Sequence, residues 1–317
     1  MKRLFAPIAA LFLTTAPLAA QDKLTVMLDW FVNPGHGPIV LAEELGYFAD
    51  AGLEVELVSP ADPNDPPRMA AAGRVDIAVS YQPELHLSRR SGLPLRRVGT
   101  LIETPLTCLV VLADGPVQSV ADLAGRKVGF AVAGVQEMLL EAMLAHHDLT
   151  PDSVEQINIG WSISPALMAG QVDGVIGAFR NFELNQMALE DHEGRCFNPE
   201  AEGVPSYDEL IYVADPERMD PALIARFLEA TERAGAFIVN DPEKAWEIFA
   251  ATDRELQTEL NARAWADTWP RFALRPAAMD AGRYIRFEEF LVAQGVTDEQ
   301  LDISELAIDV TGGKQIE

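Results

Sequence analysis

The sequence predicts an α/β protein made of two similar lobes joined by a hinge. Two segments about one hundred residues apart indicate this, because AGRVD at residues 72–76 is matched by AGQVD at residues 169–173. Each follows a helical pattern rich in Ala and Met and precedes a short apolar strand. The glycine suits the end of a helix, where a positive φ costs it little. Two copies of one unit predict two lobes of one architecture.

Strands and helices also alternate around each repeat. This order predicts helical crossovers and a mostly parallel sheet in each lobe. The first lobe has predicted strands at 23–28, 53–58 and 77–80 and a helix at 38–45. The second lobe has predicted strands at 107–112, 127–131, 154–159 and 175–178 and a helix at 136–146.

The chain is predicted to cross between the lobes twice. A strand at 207–213 leads back out of the second lobe, and amphipathic helices follow from Asp220 onward. The predicted first lobe is therefore 21–104 plus 207–311, the second lobe is 105–206, and a flexible tail covers 312–317. Two crossings beside a cleft are the layout of type II periplasmic binding proteins, in which the lobes close around a ligand.

Residues 1–20 have the pattern of a cleavable export signal. Lys2 and Arg3 precede an apolar run that ends in small residues, which predicts cleavage after Ala20. No cysteine lies near this point, so a lipid anchor is not expected. No later stretch has the roughly 18 uninterrupted apolar residues of a membrane span. These features favour a soluble periplasmic protein.

Charge and cysteine content narrow the function further. The formal charge of −25 argues against nucleic acid as a partner, because phosphates need a basic surface. Cys108 and Cys196 could form a bridge in an oxidising compartment, but their spacing leaves two buried thiols equally open. No Cys and His pattern has metal-ligand spacing. We therefore expect a monomer with neither metal nor cofactor.

Candidate ligand-binding side chains follow the predicted strand ends, where α/β proteins bind ligands. Their aromatic faces, amides, imidazole and carboxylate suit a flat heteroaromatic ring that bears amines. Each also has a structural explanation: the aromatic residues could belong to a core, the histidine could cap a helix, and the carboxylate could be solvated. The candidates are Trp30, Asn33, His36, Tyr81, Gln82, Trp161, Asn181, Phe182 and Glu183.

Several motifs together resemble the thiamine-pyrimidine family. They are LDWF at 28–31 with Asn33, Pro34 and His36 after it, GYF at 46–48, PADP at 60–63, SYQP at 80–83 and RNFE at 180–183. That family includes bacterial ABC-transporter binding proteins for precursors such as formylaminopyrimidine, and fungal pyrimidine precursor synthases. The resemblance covers nearly the whole mature chain. It implies that Trp30 and Tyr81 stack on the pyrimidine while Asn33, Gln82 and Glu183 bind its polar edge.

The resemblance also allows the enzymatic branch to be considered. His36 aligns with the histidine that the fungal synthases consume, but their cysteine-rich run and their pyridoxal-phosphate lysine have no counterpart at 177–182 or between Lys23 and Lys127. We therefore expect a non-enzymatic binding protein that delivers an aminopyrimidine to an ABC permease. The alternatives are a synthase-like enzyme and a binding protein for another solute, such as a sulfonate or a riboflavin-type ring.

Overall fold

A computed structural model describes residues 21–312 and contains two five-stranded sheets. The predicted export signal and nearly all of the predicted tail lie outside the described residues. The first sheet has the order β2-β1-β3-β10-β4 and the second has the order β7-β6-β8-β5-β9. The strands are β1 (Asp22–Met27), β2 (Leu53–Val58), β3 (Ile77–Ser80), β4 (Arg96–Ile102), β5 (Thr107–Leu112), β6 (Lys127–Phe130), β7 (Glu155–Asn158), β8 (Gly174–Phe179), β9 (Gly194–Phe197) and β10 (Leu210–Ala214).

Helices cover both sheets. Within residues 21–312, none is both long and apolar enough to cross a membrane. They are α1 (Gly37–Glu44), α2 (Tyr47–Asp50), α3 (Pro66–Ala71), α4 (Gln82–Arg90), α5 (Val135–His146), α6 (Ile163–Met168), α7 (Glu183–Leu189), α8 (Pro221–Asn240), α9 (Pro242–Ala251), α10 (Glu259–Thr268), α11 (Ala281–Ala293) and α12 (Ile303–Leu306).

The two sheets repeat one topology, which confirms the predicted α/β fold. Strands β1, β2 and β3 run parallel in the first sheet, as β6, β7 and β8 do in the second. In each sheet one strand beside this unit runs antiparallel: β10 against β3, and β5 against β8. The sheets are therefore mixed, because the strands next to the lobe crossings enter from the opposite direction.

The repeated glycines end their helices as the sequence predicts. Gly73 has a φ of +65° and Gly170 has a φ of +66°. The residues after these glycines, Arg74 and Gln171, each donate their backbone N–H to a carbonyl five residues earlier, at 2.9 Å. These hydrogen bonds satisfy carbonyls that a helix end otherwise leaves unpaired.

The repeated aspartates fasten each turn to the sheet. The Asp76 carboxylate accepts the backbone N–H of Thr25 at 2.7 Å, and Asp173 accepts that of Lys127 at 3.0 Å. Each aspartate also donates its own N–H to the carbonyl of the same partner residue. The AGxVD repeat is thus a structural device that stops a helix and fixes the next strand.

The lobes are reinforced in different ways. The first lobe gains the C-terminal helices, since α8 and α9 both pack on α1. The second lobe has a disulfide between Cys108 on β5 and Cys196 on β9, whose Cα atoms lie 5.7 Å apart. This bridge resolves the alternative that the sequence left open. It joins neighbouring antiparallel strands at the edge of the sheet.

The two chain crossings are bonded to each other. Glu209 on the returning crossing accepts the backbone N–H groups of Leu106 and Thr107 on the outgoing one, at 2.5 and 2.8 Å, and the Thr107 hydroxyl at 2.8 Å. Burial raises the pKa of Glu209 to about 7. The predicted strand at 207–213 is therefore wrong at its start: β10 begins at Leu210, because Glu209 bonds across the hinge region and Asp208 bonds Thr100 and Tyr284 within the first lobe.

Candidate ligand-binding cleft

A cavity of about 240 Å³ lies between the lobes, at the carboxyl ends of β1, β3 and β8. An engineered cavity of roughly 150 Å³ holds a benzene ring, so this space suits a substituted single ring. Both lobes line it. The lining residues are Asp29, Trp30, Phe31, Val32, Asn33, Gly35, Tyr81, Gln136, Ile163, Gly177, Phe179, Asn181, Phe182, Glu183, Glu255, Leu256 and Asn261.

The loop after β1 is held by a buried network around Asp29. One Asp29 oxygen bonds His36 Nε2 at 2.9 Å, and the other accepts the Tyr81 hydroxyl at 3.0 Å. His36 Nδ1 accepts the Asn33 backbone N–H at 3.2 Å, so Nε2 carries the proton that is donated to Asp29. The Asn33 side chain caps the following turn through the Gly35 N–H at 2.8 Å.

This network holds Tyr81 in one orientation at the cavity. Burial, reinforced by Asp29, raises the pKa of the Tyr81 hydroxyl well above its usual value, so the hydroxyl remains a donor. The next residue, Gln82, is fully buried on the far side of the turn. Its oxygen accepts the Asp208 N–H at 2.8 Å and its amide nitrogen lies 3.3 Å from His86 Nε2.

Aromatic rings from both lobes meet at the edge of the cavity. Trp30 of the first lobe packs edge-on against Trp161 of the second, with ring centroids 4.1 Å apart. Phe31 lies 4.8 Å from the same Trp161 ring. Deeper in the cleft, Tyr81 faces Phe179 across the lobes at 6.4 Å. These contacts bring the lobes together around an apolar slot suited to a flat ring.

Gln136 presents an amide donor on the second-lobe side. Its oxygen accepts the backbone N–H groups of Ala131 and Val132 at 2.7 and 3.1 Å, which leaves its NH₂ group for other partners. Gly177 permits this placement, because it has a φ of +92° and an added Cβ would lie 2.1 Å from the Gln136 amide nitrogen. Any larger residue at 177 would displace Gln136.

Asn181 contributes an unpaired acceptor. It is 5% exposed, and its NH₂ group donates to the Thr268 hydroxyl at 2.6 Å. Its oxygen Oδ1 is buried and has no partner among the described residues. Buried polar atoms in folded proteins are nearly always paired, and Asn181 lines the cavity, so we expect a ligand or a water molecule in the cavity to supply the missing donor.

Glu183 contributes a carboxyl with an altered pKa. It is 8% exposed at the start of α7, and its Oε2 accepts the Phe179 N–H at 2.6 Å. Burial raises its pKa to about 7, although that hydrogen bond opposes the rise. Near neutral pH this group can therefore act as a donor or as an acceptor toward a ligand.

The cleft offers little to an anion. Its lining contains Asp29, Glu183 and Glu255 but no lysine, arginine or histidine. The backbone N–H groups of the loop just before α5 are also occupied. Those of residues 131–134 donate to the side chains of Gln136, Asn64 and Glu137. These four N–H groups are therefore not open to an anion.

The structure brings together most of the candidates from the sequence. Trp30, Asn33, Tyr81, Asn181, Phe182 and Glu183 line the cavity. His36 and Gln82 do not line it. The Asp29 carboxylate and the Asn33 N–H hold His36 behind the wall, and the Asp208 N–H and His86 hold Gln82 there. Trp161 packs beside the cavity. That these residues contact a ligand stays a prediction. No group of three His, Cys, Asp or Glu residues suited to a metal is present within 21–312.

Several residues that line the cavity are not among the candidates predicted from the sequence. Asp29 lies within the conspicuous loop, but its role emerges only from its contacts with His36 and Tyr81. Glu255, Leu256 and Asn261 come from the C-terminal helical region, which carries no strand-end signal. Tertiary packing alone brings them to the cleft.

This two-lobe architecture is the fold of periplasmic binding proteins. The solved structure of the periplasmic aliphatic sulphonate-binding protein from Escherichia coli matches it with a TM-score of 0.70. The match covers 93% of this chain and 96% of that one at 19% sequence identity, a level that establishes the fold alone.

Sequence relatives identify the family. A family model described as NMT1/THI5 like matches residues 33–245. A protein of Haemophilus influenzae, provisionally named a thiamine biosynthesis protein, is 47% identical over 97% of this chain and 98% of its own. The formylaminopyrimidine-binding protein of Halalkalibacterium halodurans is 32% identical over 76% of this chain and 74% of its own. The chain therefore belongs to the NMT1/THI5-like family, which confirms the resemblance drawn from its motifs.

Proposed function

We propose that this protein is the periplasmic substrate-binding component of an ABC importer and that it binds a thiamine-related aminopyrimidine between its lobes. The observation that carries the proposal is that two second-lobe groups, Asn181 Oδ1 and the Glu183 carboxyl, both lie beside the apolar slot. Asn181 Oδ1 requires a donor, and Glu183 can donate to or accept from a ring edge. An aminopyrimidine carries an amine donor next to a ring-nitrogen acceptor, which complements such a pair.

The relatives support the same ligand class. One is named for binding formylaminopyrimidine and another for thiamine biosynthesis. Formylaminopyrimidine and hydroxymethylpyrimidine share the ring and differ at one substituent, so both fit the proposal. The binding-protein fold and the export signal predicted at residues 1–20 support the proposed delivery to a permease and the proposed location in the periplasm.

A sulfonate ligand is the alternative that the fold neighbour raises, and the charge of the cleft opposes it. Sulfonates are permanently anionic, whereas the lining carries three carboxyl side chains and no cation. The backbone N–H groups of residues 131–134, just before α5, are already bonded and offer no substitute. The same argument disfavours a phosphorylated pyrimidine. A riboflavin-type ring system is disfavoured by size, since the cavity of about 240 Å³ suits one substituted ring.

The enzymatic alternative also finds little support in the cleft. No lysine lines the cavity to form a Schiff base with pyridoxal phosphate. His36 is completely buried and bonded at both ring nitrogens, to Asp29 and to the Asn33 N–H, so it is not presented as a substrate. Binding without chemistry therefore suits these residues better.

Titration calorimetry with a small ligand panel tests the proposal. The panel contains formylaminopyrimidine, hydroxymethylpyrimidine, the phosphate ester of hydroxymethylpyrimidine, an alkanesulfonate and riboflavin. We expect tight binding of one or both neutral aminopyrimidines and at least about a hundredfold weaker binding of the anions. Preference for the sulfonate or for riboflavin would contradict the proposal. A Schiff-base absorbance band with pyridoxal phosphate would support the enzymatic alternative instead.

A further inference from the structure

We infer that Thr268 is a positioning residue that makes the cleft selective for a ring edge bearing an N–H donor. The inference rests on the proposed function, because it concerns how the same cavity distinguishes one pyrimidine from another. Thr268 lies at the end of α10 and is itself fully buried. It acts on the ligand only through Asn181, 87 positions away in the chain.

The hydrogen bonds of Thr268 determine which way the Asn181 amide faces. The Thr268 hydroxyl donates its single proton to the Ala264 carbonyl at 2.5 Å. Only its lone pairs remain toward Asn181, so the group that faces it at 2.6 Å must be the Asn181 NH₂. A flipped amide would set two oxygen atoms against each other. The chain from Ala264 through Thr268 thus leaves Asn181 Oδ1 as the unpaired end.

This orientation is imposed across the cleft. Asn181 follows β8 in the second lobe, whereas α10 packs against the turn at 34–36 in the first lobe. The bond between Asn181 and Thr268 therefore forms where the two lobes meet. When the lobes are apart, the Asn181 amide can rotate and bond either to a donor or to an acceptor on the ligand. When the lobes close, Thr268 binds the NH₂ group and leaves Oδ1 unpaired. The amide can then bond only to a ligand group that donates a proton.

Closure thereby becomes the step that selects the ligand. A ring edge with an amine supplies the N–H that Asn181 Oδ1 lacks. A ring edge with a methoxy oxygen in place of the amine carries no N–H and places oxygen against oxygen, which leaves both acceptors unpaired in a buried site. Sites built to pair with one hydrogen-bonding group reject analogues that lack it strongly, because the site's own polar atoms are then unsatisfied.

Binding selectivity of the full mature protein tests the inference. Titration calorimetry compares 4-amino-5-hydroxymethyl-2-methylpyrimidine with its 4-methoxy counterpart, which has no N–H on that edge, in wild type, Thr268→Val and Thr268→Ser. Valine keeps the shape of threonine but has no hydroxyl, whereas serine keeps the hydroxyl. We expect wild type and Thr268→Ser to prefer the amine by about a hundredfold or more, and Thr268→Val to lose at least about tenfold of that preference.

Thr231→Val is the matched structural control. Thr231 is equally buried, and its hydroxyl bonds a carbonyl of its own helix, Leu228, at 2.9 Å. It does not line the cleft, so its replacement should leave the ratio of the amine affinity to the methoxy affinity unchanged even if stability falls. An unaltered ratio in Thr268→Val, with tight amine binding retained, overturns the inference and leaves the proposed function intact.

A measurement without ligand separates failure of the proposed function from failure of the inference about Thr268. If wild type binds neither pyrimidine, the proposed function fails, and the side-chain amide NMR signal of Asn181 then decides the role of Thr268. Slower hydrogen exchange of this NH₂ in wild type and Thr268→Ser than in Thr268→Val supports the inference. Equal exchange in all three proteins overturns it.

Discussion

The two walls of the cleft differ in how their polar groups are used. In the first lobe, Asp29, His36 and Tyr81 bond to one another, and Asn33 caps its own loop. In the second lobe, Asn181 Oδ1 remains unpaired, and the pKa of Glu183 is raised. The first wall is therefore preorganised. Under the proposed function it provides shape and aromatic area, and the second wall provides the hydrogen bonds that a ligand would complete. We propose that two lobes of one topology divide recognition in this way.

The same contrast extends to stability. The first lobe contains the additional C-terminal helices, and β10 and β4 complete its five-stranded sheet. The second lobe is smaller, and a disulfide closes its edge. A small unit buries a lower fraction of its surface, so a cross-link matters more to it.

Removing the disulfide should have the largest effect. The Cys108→Ala/Cys196→Ala variant frees a loop of 88 residues, which should lower the free energy of unfolding by about 2–5 kcal/mol. Urea denaturation measures the total, and hydrogen exchange locates it. Exchange should accelerate in β5–β9 and change little in β1–β3. Equal acceleration in both sheets would mean that the lobes do not differ in their reliance on the bridge.

Local sequence signals predicted the repeated parts of the fold. The turns at Gly73 and Gly170 and the strands that follow them depend on backbone preferences that a few residues specify. The sequence predicts strand at 207–209 because this segment leads directly into the apolar run of β10. Its side chains instead bond to distant partners such as Thr107 and Tyr284, which no local pattern reveals.

The candidate site was predictable to the extent that it follows strand ends. Trp30, Tyr81 and Glu183 occupy such positions, and all three line the cavity. His36 follows a strand end as well, but its imidazole turns inward to Asp29, and sequence does not encode that direction. Thr268 reaches the cleft on a helix, far along the chain from the partner that it orients.

Glu183 tests whether the second wall carries the polar recognition. Glu183→Ala should weaken aminopyrimidine binding by about 1.5–3 kcal/mol, the usual contribution of a hydrogen bond to a charged group. Glu183→Gln should cost far less, because an amide keeps one donor and one acceptor as a protonated carboxyl does. Glu255→Gln, at an exposed position of the lining, is the control. Equal and negligible effects in both Glu183 variants would assign no recognition to this carboxyl.

The aromatic residues test the first wall. Trp30→Ala and Tyr81→Ala should each weaken binding by about 1–3 kcal/mol, through lost stacking and lost apolar burial. Tyr81→Phe separates the ring from its hydroxyl. It should nearly preserve affinity while lowering stability, because Asp29 loses a buried donor. Unchanged calorimetric affinity in both alanine variants would make these aromatics structural residues only.

The pH dependence of binding should follow Glu183. Its pKa in the folded protein is about 7, against an ordinary 4.5, so the folded state holds a proton that the unfolded state releases. Stability from this group is present below pH 4.5 and declines as pH rises to about 7. If the proton is retained between the carboxyl and the ring nitrogen, affinity should be level below pH 7 and fall by up to about tenfold per unit above it.

Two variants assign this pH profile. Glu183→Gln should bind with no break near pH 7. Glu84→Gln should keep the break, because Glu84 has a similarly raised pKa but bonds to Ser80 outside the cavity lining. Affinity that instead rises with pH would show that the carboxylate binds a neutral ring through the amine alone.

The smallest expected effect concerns contacts that hold the lobes together without touching the ligand. Asn185 on α7 donates to Asp267 on α10 at 2.8 Å, beside the bond between Asn181 and Thr268. Asn185→Ala removes this lobe-to-lobe hydrogen bond and also the bond from Asn185 to the Asn181 backbone carbonyl at 2.9 Å. Loss of the lobe-to-lobe bond should weaken binding by about 0.5–1.5 kcal/mol by favouring the open state. Asn240→Ala, which loses a bond only within its own helix, should change neither affinity nor shape.

Small-angle scattering distinguishes this effect from damage to the cleft. Wild type should become more compact at saturating ligand, because neither wall alone satisfies the ring. Asn185→Ala should reach the same compact form, but only at higher ligand concentration, since the ligand's preference for the closed state must offset the missing bond. A radius of gyration that stays constant in wild type despite tight binding would contradict closure. The first-lobe wall would then provide the shape and the second-lobe wall the hydrogen bonds in a cleft that is already closed before the ligand binds.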